Sequence, residues 1–340
     1  MYIAFVVSIL LVLAVIFVNG WTDAPNAIGS AIGTRVLRPR TAIILAVIFN
    51  FLGVLLMTTI STEVADTISN MIDLSVGPRE QALIVLAAAM ISIVVWAVAA
   101  WYFGIPTSES HALIAGLTGA ALAFGGIDAI NMEEWRKVLV GLVISSVLGF
   151  SSGFFIARLI EMICRNVNRI STESFFGFGQ AFGAAGMAFM HGAQDGQKFM
   201  GVFMLALYLN GMADRAADGT FIIPIWVMVI CSLTMGIGTA VGGGRIIKSV
   251  GIDMVKMRRY QGFASDVAAG ACLLLASLTG IPVSTTHTKT TAIMGVGASR
   301  RLSSVNWNVV KEMVWAWILT FPGCGVIGYI MAKLFLYIFL

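Results

Sequence analysis

Apolar residues come in long runs separated by short polar breaks: 2–19 continuing to about 34, then 41–60, 82–103, 104–126, 137–157, 178–208, 222–244, 262–280, 281–299 and 308–340. Roughly 20 apolar residues in helical form span the hydrocarbon core of a bilayer. Each run therefore predicts a helix in or across a membrane. The longest polar connections, 61–81, 158–177 and 245–261, are too short to fold alone. The pattern predicts an all-α polytopic membrane protein with no soluble domain between its helices.

Composition removes the alternatives. Charged residues are 11% and hydrophobic residues 59%, against roughly 25% and 45–50% in soluble domains. A mean hydropathy of +0.93 leaves a soluble globule too little polar surface, and disorder needs the opposite bias. The net charge of +4 comes from basic residues scattered in short loops, so no nucleic-acid partner is expected. Cys164, Cys231, Cys272 and Cys324 show no Cys-x-x-Cys spacing and read as small packed hydrophobes. The first run lacks a basic leader and a small-residue cleavage site, so it reads as a retained helix.

Charge orients the segments. Arg35, Arg38 and Arg40, then Arg158, Arg165 and Arg169, then Arg245, Lys248, Lys256, Arg258 and Arg259 mark three cytoplasmic loops. The loop at 61–81 carries Glu63, Asp66, Asp73 and Glu80 against one arginine, Arg79, and fits the outer face. Keeping the basic loops inside requires an odd number of crossings before and after the middle loop. Five net crossings per half, with both termini outside the cell membrane, is the simplest solution.

Two motifs occur twice. Gly-Trp-Thr-Asp-Ala-Pro-Asn-Ala-Ile-Gly (20–29) aligns with Gly-Ala-Gln-Asp-Gly-Gln-Lys-Phe-Met-Gly (192–201), and Gly-Ile-Pro-Thr-Ser-Glu-Ser-His (104–111) with Gly-Ile-Pro-Val-Ser-Thr-Thr-His (280–287). The offsets are 172 and 176 residues, as one duplication would give. Halves with odd crossing numbers have opposite orientation, so residues 1–170 and 171–340 are expected to be inverted repeats with interrupted helices, an architecture of secondary transporters.

The repeated motifs hold the chemistry. Asp23 and Asp195 are each followed one turn later by a polar residue, Asn26 or Lys198. Ionisable groups at membrane depth normally face a cavity or a partner. Gly20 and Pro25 are expected to break the helix around Asp23, and Gly192 and Gly196 the helix around Asp195. Broken helices free carbonyls that join a carboxylate in an oxygen-rich cation site; ordinary helix capping is the plainer reading of either aspartate alone. In the second pair, proline at the first helical position followed by hydroxyls predicts a helix start. Its N–H groups and dipole would favour an anion. Thr107, Ser108 and Ser110, with Ser284, Thr285 and Thr286, add donors without charge, enough to clasp a tetrahedral oxyanion from two sides. His111, His191 and His287 all fall in these motifs. His111 and His287 are expected to brace the helix starts and His191 to support the site or relay a proton; their dispersal argues against a metal cage. Glu109 and Lys289 are expected to pair with each other, or Lys289 to face the anion. Asp66 and Asp266 lie near segment ends, where solvent is expected to satisfy them.

These motifs resemble the signatures of the inorganic phosphate transporter (PiT) family. Asp-x-x-Asn-x-x-Gly after a broken first helix is similar to the first signature. His-Gly-Ala-Gln-Asp-Gly-Gln-Lys-Phe-Met-Gly (191–201), Gly-Ile-Pro-Val-Ser-Thr-Thr-His (280–287) and Ile-Met-Gly-Val-Gly-Ala-Ser (293–299) resemble its second half. The first signature commonly reads Gly-Ala-Asn-Asp, whereas here Trp21 and Thr22 precede Asp23; Gln194 stands where asparagine is usual, and Glu109 among generally neutral residues. The resemblance implies phosphate import with a co-transported cation, sodium or proton, and no other cofactor. Asp23, Asn26 and Asp195 would then hold sodium, and the two helix starts phosphate. Lys198, at the repeat position of Asn26, predicts an ammonium in place of one bound cation.

Three other readings compete. A transporter of sulfate or of a metal–phosphate complex fits the same hydroxyls and dipoles. An intramembrane serine hydrolase lacks a Gly-x-Ser-x-Gly elbow, so no enzyme is expected. A passive channel fits poorly with buried ionisable groups. The glycine-rich faces at 141–153 and 236–244 allow close helix contact and are compatible with a homodimer.

Overall fold

A computed structural model describes residues 1–103, 107–216, 219–241 and 244–339. The Gly104-Ile105-Pro106 start of one predicted anion motif, and residues 242–243 of one glycine-rich face, lie outside them. The helices are α1 (Tyr2–Thr22), α2 (Pro25–Gly33), α3 (Pro39–Ile60), α4 (Glu63–Asn70), α5 (Arg79–Phe103), α6 (Glu109–Gly125), α7 (Met132–Ile163), α8 (Arg169–Leu209), α9 (Ile225–Val241), α10 (Gly244–Lys248), α11 (Arg259–Leu278), α12 (Thr285–Arg300) and α13 (Trp307–Phe339). Among the described residues, extended pairing is limited to isolated bridges such as Ile72–Ile130.

Seven helices among those residues are long and apolar enough to cross a bilayer, or eight if Ile225–Val241 and Ile246–Asp253 form one bent span. The sequence pattern gave ten runs. The difference is physical. α12 has 16 residues, begins Thr-Thr-His-Thr-Lys-Thr-Thr and is buried along nearly its whole length, so protein rather than lipid surrounds it. α8 has 41 residues, about 60 Å at 1.5 Å per residue, and carries Gln194, Asp195, Gln197 and Lys198 fully buried at its centre.

The break in the first run is where Pro25 places it. Asp23 and Ala24 separate α1 from α2, with the Asp23 N–H still bonded to the Asn19 carbonyl at 2.9 Å. Pro25 has no N–H to continue the ladder. The break predicted around Asp195 is absent: α8 runs through it unbroken. Gly192 and Gly196 serve packing instead. A Cβ on Gly192 would meet the Asn50 carbonyl and one on Gly196 the Val54 side chain, so both let α3 lie close against α8.

Neighbouring helices exchange partners across the molecule. α1 packs on α9 and α3 on α8; α6 packs on α13 and α12 on α7. Glycine permits these approaches. A Cβ on Gly153 would meet the Ala292 carbonyl, one on Gly295 the Phe150 carbonyl, and one on Gly119 the Gly325 carbonyl. The glycine face at 141–153 is thus used within the chain, against α12 and the segment before it, and Gly238 lies against the Phe17 carbonyl. Large apolar side chains point outward instead, among them Ile44, Val143, Phe155, Phe178, Leu275, Ile318 and Ile330. Apolar outside with polar inside is the distribution a bilayer selects.

Two aspartates expected to be solvated are buried. Asp66 sits in α4 and accepts the Phe221 N–H at 2.9 Å and the Thr62 hydroxyl at 3.0 Å. Asp266 forms an ion pair with Lys289 and accepts the Ser30 hydroxyl at 2.8 Å. Lys289 therefore pairs with Asp266, neither with Glu109 nor facing the predicted anion position. The pair joins α2, α11 and α12, and Ser30, Ser265, Asp266 and Lys289 are all buried there. Tertiary packing covers both positions, which sequence proximity to a segment end does not reveal.

Removing one member of such a pair leaves the other charge buried and uncompensated, at a cost of about 3–5 kcal/mol, whereas replacing both with apolar groups is near neutral. Lys289→Met should lower the unfolding temperature of the detergent-purified protein substantially. Asp266→Leu combined with Lys289→Met should recover most of the loss.

Candidate functional site

Four chain segments meet where α1 breaks: the Asp23–Ala24 turn, the centre of α8, the start of α6 and the start of α12. Each helix start is fixed by a serine. Ser108 caps α6 by accepting the His111 N–H at 3.3 Å, and Ser284 caps α12 by accepting the His287 N–H at 3.1 Å. Both helices therefore begin after the serine, at Glu109 and Thr285. Pro282 precedes the start of α12 and is not its first residue, because the chain from Gly280, with φ +65°, reaches the cap before turning helical. Pro106 lies outside the described residues.

The two caps face each other. Ser108 Oγ and Ser284 Oγ are 2.8 Å apart, and both serines are fully buried. The N-terminal ends of two helices, with their unpaired N–H groups, thus converge on one point. Behind them the His111 and His287 rings lie edge to face at 4.2 Å, and α13 backs them with Phe321 at 4.6 Å from His111 and Trp317 at 3.6 Å from His287. Both ring nitrogens of His111 and Nε2 of His287 are buried without a hydrogen-bond partner among the described residues, so these two rings meet each other and α13 through ring contacts.

Around this point stand the two aspartates. Asp23 Oδ1 accepts the Thr286 hydroxyl, and it accepts Asn26 Nδ2 at 2.6 Å; Asn26 Nδ2 also reaches Thr286 Oγ1 at 3.0 Å. Asp195 Oδ1 accepts Lys198 Nζ at 2.7 Å, and Lys198 Nζ donates to Ser110 Oγ at 2.7 Å and to the Val283 carbonyl. Asp195 Oδ2 takes Thr285 Oγ1 at 3.1 Å and Asn19 Nδ2 at 3.2 Å. His191 bonds Asn50 Oδ1 through Nδ1 at 2.9 Å, and its Nε2 lies 3.4 Å from Asp195. One ligand atom from each of Asp23, His191 and Asp195 falls within 4.8 Å of the others. Folding thus assembles a group that the sequence, with its histidines dispersed, did not suggest.

Of the predicted site residues, Ser108, Ser110, Ser284, Thr285, Thr286, Asp23, Asn26, Asp195, Lys198 and all three histidines converge here. Thr107 is half-buried at the edge. Sequence reasoning missed Asn19 and Thr22. Asn19 is the one strongly polar residue in the apolar stretch 2–19 and stands four residues before Asp23, a signal that was available. Thr22 donates to Glu109, whose second oxygen, Oε2, is buried without a hydrogen-bond partner among the described residues. Gln194 grips the segment before α12, bonding Ser277 Oγ at 3.0 Å and accepting the Val283 N–H at 3.4 Å. The site is sealed: Asp23, Asp195, Ser108, Ser284 and Lys198 are each at most 1% exposed.

Comparison with known proteins bears on the family and the fold. A protein named "Probable low-affinity inorganic phosphate transporter" from Bacillus subtilis is 35% identical over 331 residues, covering 96% of this chain and 97% of that one. One of the same name from Rhizobium meliloti is 35% identical over 312 residues, covering 92% and 90%. A solved structure titled "The sodium-dependent phosphate transporter" shares the fold, with a TM-score of 0.89 at 21% identity over 98% of this chain and 99% of that one. The family model described as "Phosphate transporter family" matches residues 19–328, and the chain belongs to that family.

Proposed function

We propose that this protein is a secondary active transporter that imports inorganic phosphate together with a cation, by alternating access to the buried site. The observation that carries the reading is the Ser108–Ser284 contact, 2.8 Å across two converging helix ends, beside the Asp23 and Asp195 carboxylates. Helix N-termini and hydroxyls favour an oxyanion; carboxylates and amide oxygens favour cations. Held together in one sealed site, they suit co-binding. A multivalent anion entering against an interior-negative potential needs positive charge with it, at about 2.3 kcal/mol per charge per 100 mV. The names of the relatives, phosphate transporters and in one case a sodium-dependent one, support the same substrate and the same need for a cation.

Phosphate would enter between the two caps and take over the bond that Ser108 and Ser284 make to each other, with Ser110, Thr285 and Thr286 beside it. The cation would sit against Asp23. Residues 1–170 and 171–340 would act as two inverted halves rocking around the site. The exchange of partners, α1 with α9 and α3 with α8, α6 with α13 and α12 with α7, supports that arrangement. So do the crossed contacts of Asn26 with Thr286 and Lys198 with Ser110.

In proteoliposomes, phosphate should accumulate above its outside concentration under an imposed sodium or proton gradient, and arsenate should inhibit more strongly than sulfate. Accumulation of sulfate with no phosphate uptake would overturn the substrate. Hydrogen bonds to a charged ligand contribute about 1.5–3 kcal/mol, so Ser108→Ala and Ser284→Ala should each raise the KM for phosphate roughly ten- to a hundred-fold. An unchanged KM in folded variants would remove the caps from the binding site.

A further inference from the structure

The two aspartates look alike in sequence but end in opposite states. Around Asp195 every carboxylate oxygen is engaged. Oδ1 holds the Lys198 ammonium, and Oδ2 takes Thr285 and Asn19, with His191 at 3.4 Å. The ammonium uses its three protons on three kinds of oxygen: the Asp195 carboxylate, the Ser110 hydroxyl and the Val283 backbone carbonyl. Carboxylate, hydroxyl and carbonyl oxygens are also what a hard cation coordinates. No atom of the Lys198 side chain reaches solvent.

Around Asp23 the same scaffold is built with a neutral residue. Asn26 stands three residues after the aspartate, as Lys198 does, and reaches a hydroxyl of the opposite helix start, Thr286, as Lys198 reaches Ser110. Here oxygens remain unengaged: Asp23 Oδ2, Asn26 Oδ1 and the nearby Asn19 Oδ1 are buried without a hydrogen-bond partner among the described residues. Buried oxygens without partners are costly, and a cation against Asp23 would supply there the positive charge that Lys198 supplies to Asp195.

We infer that the Lys198 ammonium is a resident cation. It fills one of two matched oxygen cages permanently, and only the Asp23–Asn26 cage exchanges a cation with solution during transport. The inference rests on the reading of both aspartates as cation positions in a phosphate transporter. It adds that one positive charge stays with the protein through the cycle, so each phosphate carries one cation fewer than two matched open cages would bring.

The test uses the full chain. For the wild type and Lys198→Asn, which restores the first-copy residue, equilibrium phosphate accumulation in proteoliposomes is measured against graded sodium and proton gradients at clamped voltage. In parallel, bound radioactive sodium is counted on the purified proteins with and without phosphate. The expected result is one more coupled cation per phosphate, and one more bound sodium, in Lys198→Asn than in the wild type. Equal cation counts in the two proteins overturn the inference. If Lys198→Asn does not fold, Lys198→Gln, which also exchanges the charge for an amide oxygen, is held to the same two counts. The sodium count needs no transport. A wild type that accumulates no phosphate would overturn the transport reading, while the difference in bound sodium would still decide the role of Lys198.

Discussion

A carboxylate at membrane depth must be matched by hydrogen bonds or positive charge, and Asp23 and Asp195 set that demand at the centre of this protein. Most of the surrounding structure answers it. Asn19, Asn26, Thr285, Thr286 and Lys198 all bond to one aspartate or the other. Those residues come from α1, α2, α8 and α12, so satisfying two charges fixes how four helices meet. The serine caps follow from the same constraint: α12 must begin at Thr285 for its first two threonines to reach the carboxylates.

Close packing keeps this polar centre dry. Glycines at the crossings let carbonyl groups of one helix lie where a Cβ of the next would be, as between Gly153 and Ala292 or Gly119 and Gly325. Lipid tails provide no hydrophobic drive between helices, so van der Waals contact at short range has to hold them. Water excluded from the site strengthens each electrostatic interaction within it.

Much of the site was legible in the sequence because it is made of types that stand out in an apolar chain. A serine, threonine, aspartate or histidine among leucines is conspicuous, and twice-repeated motifs mark them further. Pro25 made the first helix break readable, since a missing N–H is a local fact. Gly192 and Gly196 misled, because glycine inside a helix costs only about 1 kcal/mol and packing against Asn50 and Val54 outweighs it. Asp66, Asp266 and Lys289 were not legible for the opposite reason. Phe221 is 155 residues from Asp66, and Lys289 is 23 residues from Asp266, so only the fold brings these partners within reach. Proline before the α12 cap was read one step too literally: it shapes the approach, while Ser284 decides the start.

The continuity of α8 has a mechanical meaning. The Asp23 side of the site hangs on a jointed arm, α1 and α2 with a turn between them, whereas the Asp195 side hangs on one uninterrupted strut of 41 residues. A strut delivers a displacement at one end undiminished to the other, and a joint can absorb it. Gln194 and Lys198 bond Val283 ahead of α12 and Asp195 bonds Thr285 at its start, so this helix start is tied directly to α8. In the proposed alternating access, the Asp23–Ala24 turn, beside the oxygens of Asp23 and Asn26 that lack partners among the described residues, is where bending would concentrate.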